Sequence, residues 1–129
     1  MIAVKPQAGI ILFAHGSRDA DWTAPFQRIR RQLQIALPDA RVELAFLESS
    51  SPRLDQAAEK LIAGGVQSLL IAPLFMGQGA HLRRDLPELI EGLRSNHPSI
   101  AVRLLPAISD APEVLDFVAD WIRNKAAPD

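Results

Sequence analysis

The chain has 129 residues, enough for one domain with a sizeable core but not for two cores. A formal net charge of −1, with 48% apolar and 22% charged residues, gives no electrostatic footing for nucleic acid or an anionic membrane as a partner. The absence of cysteine excludes disulfides, thiolate metal sites and a cysteine nucleophile, and no apolar run approaches the roughly 20 residues that cross a bilayer. The amino terminus shows no charged segment followed by a long apolar stretch and a cleavage site, so a cytoplasmic protein is expected.

Residues 1–7 read as a short lead-in kept out of helix by Pro6. A first strand is expected over residues 8–14, where Ile10 to Ala14 form the continuous apolar run of a strand buried on both faces. A loop over 16–21 precedes a helix over 22–37, with Phe26, Ile29, Leu33 and Leu37 inward and Arg28, Arg30, Arg31, Gln32 and Gln34 on the wet side. Strand two, 42–47, alternates more and so belongs on a flank. Ser51 is placed to cap the second helix with Pro52 at its first position. Leu54, Ala57, Ala58, Leu61 and Ile62 form the inner stripe of that helix, and Gly64-Gly65 supply a left-handed stop.

Strand three, 68–75, is again continuously apolar and expected to be central. A helix over 82–95 follows, in which Pro87 falls too deep for a first-turn proline unless the helix starts late or kinks. Strand four is 100–105. Asp110 and Glu113 are spaced as a capping box around Pro112, and the last helix carries Val114, Phe117, Val118, Trp121 and Ile122 inward. Four β-α units imply one α/β domain over 1–129, a four-stranded parallel sheet with helices on both faces and right-handed crossovers.

His15 follows strand one, Glu48 strand two and His81 strand three, each 33 residues from the last. One β-α unit separates them, so all three arrive at the carboxyl edge of the sheet, where open α/β sheets place their chemistry. In a strand order 2-1-3-4 the two histidines flank the crevice where the winding reverses. Two imidazoles and a carboxylate suit a borderline divalent ion such as Fe²⁺, Co²⁺, Ni²⁺ or Zn²⁺, and they equally suit proton acceptance. Gly16, Gly77 and Gly79 leave room for backbone to approach a ligand, while Arg18, Arg83 and Arg84 offer directed charge. Each residue alone has a plainer reading: a polar loop residue for His15, a helix-start residue for His81, a surface carboxylate for Glu48. Together on one rim they make a candidate site. His97, before Pro98, belongs to the opposite edge, and Ser49 to Ser51 read as caps and turn formers.

Three segments carry a resemblance: Phe13-Ala14-His15-Gly16-Ser17-Arg18, Phe46-Leu47-Glu48, and Pro73-Leu74-Phe75-Met76-Gly77-Gln78-Gly79-Ala80-His81 followed by Asp85-Leu86-Pro87. With these the chain resembles, over nearly its whole length, the small class II tetrapyrrole chelatases, the short CbiX-type sirohydrochlorin chelatases. The resemblance implies insertion of cobalt, iron or nickel into sirohydrochlorin in cobalamin- or siroheme-type biosynthesis. It further implies that His15 and His81 bind the metal and accept pyrrole protons with Glu48 assisting, and that Gly16, Ser17, Arg18, Gly77, Gly79 and Arg83 contact the substrate. No permanently bound cofactor is implied; the divalent ion is a substrate. The longer relatives carry two such domains in tandem, so a homodimer closing over the macrocycle is expected here. The sequence carries no histidine-rich tail for metal storage.

Two other readings compete. A histidine phosphatase places an Arg-His-Gly signature after its first strand; here Ala14 precedes His15, so the phosphate-binding arginine is missing. A non-catalytic tetrapyrrole or metal carrier with the same ligands is the other.

Overall fold

The computed structural model describes residues 8–77 and 79–128, with His81 described through its backbone alone. β1 (Ala8–Ala14), β2 (Arg41–Phe46), β3 (Ser68–Pro73) and β4 (Ala101–Leu104) form one sheet in the order β2-β1-β3-β4. Every pairing is parallel. The chain is therefore an α/β domain with β1 and β3 inside and the winding reversed between them. The expected order holds.

Side chains alternate along β1, and each face meets its own layer. Ile11 and Phe13, with Leu69 and Ile71 of β3, pack against α2 (Leu54–Ala63) and α3 (Ala80–Asn96). Ile10, Leu12 and Ala14, with Val42, Leu44 and Phe46 of β2, pack against α1 (Ala24–Ala36) and against Trp22 in the 3-10 turn Ala20–Thr23 before it. Buried on both sides, β1 has no room for a polar residue between Gly9 and His15. Each fully buried Ile, Leu or Phe contributes about 1.5–3 kcal/mol, so the central strand is the best-anchored part of the chain.

Several local expectations need correction. Ser51 does not cap α2, and Pro52 is not its first residue. Phe46 donates its N–H to the Pro52 carbonyl at 2.9 Å and bridges Arg53, so the chain runs alongside β2 until Arg53. Arg53 is the residue at which the helix opens, its N–H donating to Gln56 Oε1 at 2.9 Å. Gly65 takes the left-handed stop at φ +102°, whereas Gly64 is right-handed. α3 starts early, at Ala80, and runs on through Pro87; the imino nitrogen leaves the Arg83 carbonyl without its helical donor. Asp110 and Glu113 form no capping box, because the 3-10 turn Ile108–Asp110 intervenes and Ala111 stands at the cap position.

Ile29 and Leu37 of the first helical segment are exposed, not inward. Gln34 takes an inner place instead: its Nε2 donates to the Ala40 carbonyl at 2.7 Å and its Oε1 accepts from Val42 N at 3.1 Å. The largest departure is α4 (Pro112–Ala126). Phe117, Trp121 and Ile122, expected inward, are 70%, 57% and 54% exposed, and Val114 and Val118 are half-buried. α4 packs chiefly on the Ile108–Asp110 turn. That turn is pinned on the α3 side of the sheet: Ser109 donates its N–H to the Phe75 carbonyl at 3.2 Å, Ala107 is buried in the α2–α3 layer, and Asp110 stands 3.8 Å from Arg83.

Candidate functional site

The carboxyl rim is built where the ladder outlasts the strands. Past β2, Leu47 donates its N–H to the Ala14 carbonyl at 2.9 Å and Glu48 donates to the His15 carbonyl at 3.0 Å. Two more parallel bonds thus hold His15 and Glu48 side by side after both strands have formally ended. The next residue has to be glycine. Gly16 sits at φ +102°, and a Cβ there would fall inside the Glu48 carbonyl oxygen. A serine lock follows, with Ser17 N–H donating to Ser50 Oγ at 3.2 Å and Ser50 Oγ donating to the Ser17 carbonyl at 2.8 Å.

This backbone brings His15 Nε2 to 3.0 Å from Glu48 Oε1, with the two side chains 55% and 62% exposed. Phe75 sets the other side of the imidazole, its ring centroid 6.3 Å away and nearly perpendicular. Phe75 is itself buried and meets Phe13 edge-on at 5.5 Å, a geometry aromatic rings favour. The imidazole is therefore steered from beneath by an apolar ring and from the side by a carboxylate, with solvent above. When the carboxylate accepts the Nε2–H, Nδ1 carries the lone pair that a metal or a proton takes.

The other sequence-predicted residues distribute around this pair. β3 continues into the rim, Leu74 N–H donating to the Phe13 carbonyl at 2.8 Å, and delivers Met76 and Gly77 there in exposed positions. Gly79 is the cap residue of α3 and His81 its second helical residue, so the backbone of His81 lies on the same edge; its side chain lies outside the described residues. Among the described residues, chain neighbours aside, no atom stands within 4 Å of a Cβ position at Gly77 or Gly79. Arg18 is exposed on the β1 loop; Arg83, in the first turn of α3, faces Asp110, and Arg84 stands 4.0 Å from Asp85. His97 caps the far end of α3, on the opposite edge. Among the described residues no group of three His, Cys, Asp or Glu side chains gathers as a metal cage. Among the described residues the site offers an open pair.

Sequence reasoning missed Ser50 and Phe75. By residue type Ser50 reads as a turn former, and nothing in its own neighbourhood announces a partner 33 residues away. Phe75 reads as the end of strand three. An open hollow of about 650 Å³ beside Glu48, lined by Ser49 to Ser51 and Arg53, was likewise not legible.

The class is an α/β domain with a reversed parallel sheet and a solvent-facing histidine–carboxylate pair on its carboxyl lip. The chain belongs to the CbiX family, whose model matches residues 9–125. It is 31% identical over 83 residues to a sirohydrochlorin cobaltochelatase of Sulfolobus acidocaldarius, covering 64% of this chain and 66% of that one. A second sirohydrochlorin cobaltochelatase, from Sulfurisphaera tokodaii, is 30% identical over 86 residues, 67% of this chain and 70% of that one. The chain thus spans about two thirds of the length of these relatives. Among solved structures, a CbiX protein of cobalamin biosynthesis from Marinobacter aquaeolei superposes with a TM-score of 0.77 at 31% identity, covering 92% of this chain and 96% of that one. The sirohydrochlorin chelatase SirB of Bacillus subtilis subspecies spizizenii, in complex with cobalt, gives 0.74 at 24% identity, and the match covers 50% of its length. Among the described residues, no helix is long and apolar enough to cross a membrane.

Proposed function

We propose that this protein is a sirohydrochlorin metal chelatase, inserting a divalent ion (cobalt, iron or nickel) into the macrocycle. The observation that carries the reading is the solvent-facing His15–Glu48 pair, 3.0 Å apart, on the carboxyl lip past β1 and β2, with His15 on the strand that borders the reversal of winding between β1 and β3. The named relatives, sirohydrochlorin cobaltochelatases at about 30% identity, supply the substrate class.

Insertion exchanges two pyrrole N–H protons for one M²⁺, so the protein must present the ion and accept protons in turn. His15, with Nε2–H held by Glu48, offers Nδ1 for either task. His81, one β-α unit along the same edge, is the second imidazole, and the Glu48 carboxylate balances the positive charge that a protonated His15 would carry. The donor set is open, which suits an ion that must be surrendered; a closed four-ligand site would retain it. Gly77 and Gly79 let the macrocycle approach the β3 loop closely, Gly16 and Ser17 form the opposite lip, and Arg18 and Arg83 supply charge for peripheral carboxylates. The ion is a substrate and no resident cofactor is required. Two copies of the domain closing over the macrocycle, in the cytoplasm and in siroheme- or cobalamin-type biosynthesis, complete the reading.

The test mixes metal-free sirohydrochlorin with Co²⁺, Fe²⁺ or Ni²⁺ and follows the visible spectrum. Insertion above the spontaneous rate, lost in His15→Ala and in His81→Ala, is expected. Stoichiometric binding without acceleration would assign the protein as a carrier and overturn the catalytic reading.

A further inference from the structure

The β2 side of the rim carries donors that the His15–Glu48 pair does not use. The open hollow of about 650 Å³ there is lined by Glu48, Ser49, Ser50, Ser51, Arg53 and Gln56. Ser50 is committed to the lock with Ser17. Ser49 and Ser51 are exposed, and among the described residues neither hydroxyl makes a hydrogen bond. Gln56 gives its Oε1 to the Arg53 N–H at 2.9 Å, which leaves its Nε2 as a donor. The Arg53 side chain is 71% exposed, and among the described residues its guanidinium has one ion pair, Nε to Asp55 Oδ1 at 4.0 Å. So long a pair in solvent is weak, and the Nη groups keep their donors.

The balance of this lining favours an anion. Guanidinium, hydroxyl and amide donors surround one charged acceptor, the Glu48 carboxylate, and its Oε1 is engaged by His15 at 3.0 Å. A cation entering the hollow would meet the Arg53 charge and a carboxylate already paired. An arginine fork instead matches a carboxylate bidentately, and neutral donors complete its shell. Position matters as much as composition. Glu48 is shared by the hollow and the His15 pair, so a macrocycle centred over His15 overhangs the hollow with its rim. Arg18 and Arg83 stand elsewhere, on the β1 loop and on α3.

We propose that this hollow is the subsite for one peripheral carboxylate of the macrocycle, held by the Arg53 guanidinium with the Ser49 and Ser51 hydroxyls and Gln56 Nε2 around it. The subsite rests on the chelatase reading for its ligand and extends that reading from the reacting centre to the edge of the substrate. Its contribution is to binding alone. The acid arm does not change during insertion, so Arg53 stabilises bound substrate and transition state alike. KM therefore carries the effect of its removal, and kcat does not.

The experiment follows Co²⁺ insertion against sirohydrochlorin concentration and, separately, titrates metal-free sirohydrochlorin binding by absorbance. Arg53→Gln is expected to raise KM and the dissociation constant about tenfold, with kcat within about twofold of wild type. Arg53→Lys keeps the charge without the fork and should fall between the two. Ser49 stands at φ +63°, which glycine adopts freely, so Ser49→Gly removes the hydroxyl without adding strain. That variant should raise KM about threefold while its urea midpoint stays level or rises. Arg31→Gln, on exposed α1 in the opposite layer, removes the same charge and should leave KM alone. With the fully methyl-esterified macrocycle, wild type and Arg53→Gln should bind equally. Unchanged KM and dissociation constant in Arg53→Gln, an equal rise in Arg31→Gln, or an ester that still separates Arg53→Gln from wild type overturns the subsite. Inorganic phosphate that binds through Arg53 while sirohydrochlorin binding ignores it would assign the hollow to a free anion and overturn it too. A wild type that binds sirohydrochlorin through Arg53 yet inserts no metal keeps the subsite and loses the chelatase assignment. One that inserts metal with no dependence on Arg53 loses the subsite alone.

Discussion

Gly16→Ala isolates the device that holds the site together. At φ +102° an L-residue is strained, at a cost of about 1–2 kcal/mol. The methyl group would also overlap the Glu48 carbonyl oxygen, which is backbone and has nowhere to go without prising the β1 and β2 loops apart. That movement breaks the Glu48 N–H···O=C His15 bond, worth about 1 kcal/mol net. Together the substitution should cost roughly 2–3 kcal/mol. Gly65→Ala is the control, because Gly65 has the same φ of +102° but no atom within 4 Å of a Cβ position. It should lose only the backbone share, about 1–2 kcal/mol. Urea unfolding of both variants reads the difference directly, and metal insertion by the folded fraction reads the consequence for the pair. Equal unfolding midpoints for the two variants would refute the close-approach argument. Normal insertion by Gly16→Ala would refute the claim that this contact sets the His15–Glu48 geometry.

The same geometry sets the outcome of four further substitutions. His15→Ala removes an exposed side chain, so stability should move by less than about 0.5 kcal/mol while the insertion rate falls by about 10²-fold or more; a thermal melt and the spectral assay on one preparation separate the two. Glu48→Gln keeps the hydrogen bond but removes the charge, and should lower the rate by less than His15→Ala does; a larger loss would make Glu48 the principal base. Gln34→Ala orphans the Val42 N–H and the Ala40 carbonyl, costing about 1–3 kcal/mol in urea unfolding; no change would mean that water replaces the side chain. Pro87→Ala restores the helical donor to the Arg83 carbonyl and should raise the melting temperature, since an interior proline costs about 3 kcal/mol relative to alanine; a lower melting temperature would show that α3 is shaped around the proline.

The sheet and its rim were legible in the order of residues alone. Unbroken apolar runs at Ile10–Ala14 and Leu69–Ala72 read as inner strands because burial on both faces leaves no polar position, and they are the two inner strands. Equal 33-residue spacing put His15 and Glu48 on one edge because each β-α unit returns the chain to the same side, and the two side chains meet at 3.0 Å. Helix ends were less legible. Ser51 looked like a cap by residue type, but the bonding of Phe46 to Pro52 kept the chain extended until Arg53, a competition between partners far apart in sequence. Ser50 and Phe75 entered the site for the same reason: each acts on a residue from another β-α unit. The orientation of α4 is the plainest case. Its stripe of Val114, Phe117, Val118, Trp121 and Ile122 records that the helix is to be covered, since periodicity reports burial; it says nothing of what does the covering. Only the pinned turn at Ile108–Asp110 decided that its own sheet does not, because the direction in which a helix leaves a sheet is fixed by tertiary contacts that the periodicity of its residues does not encode.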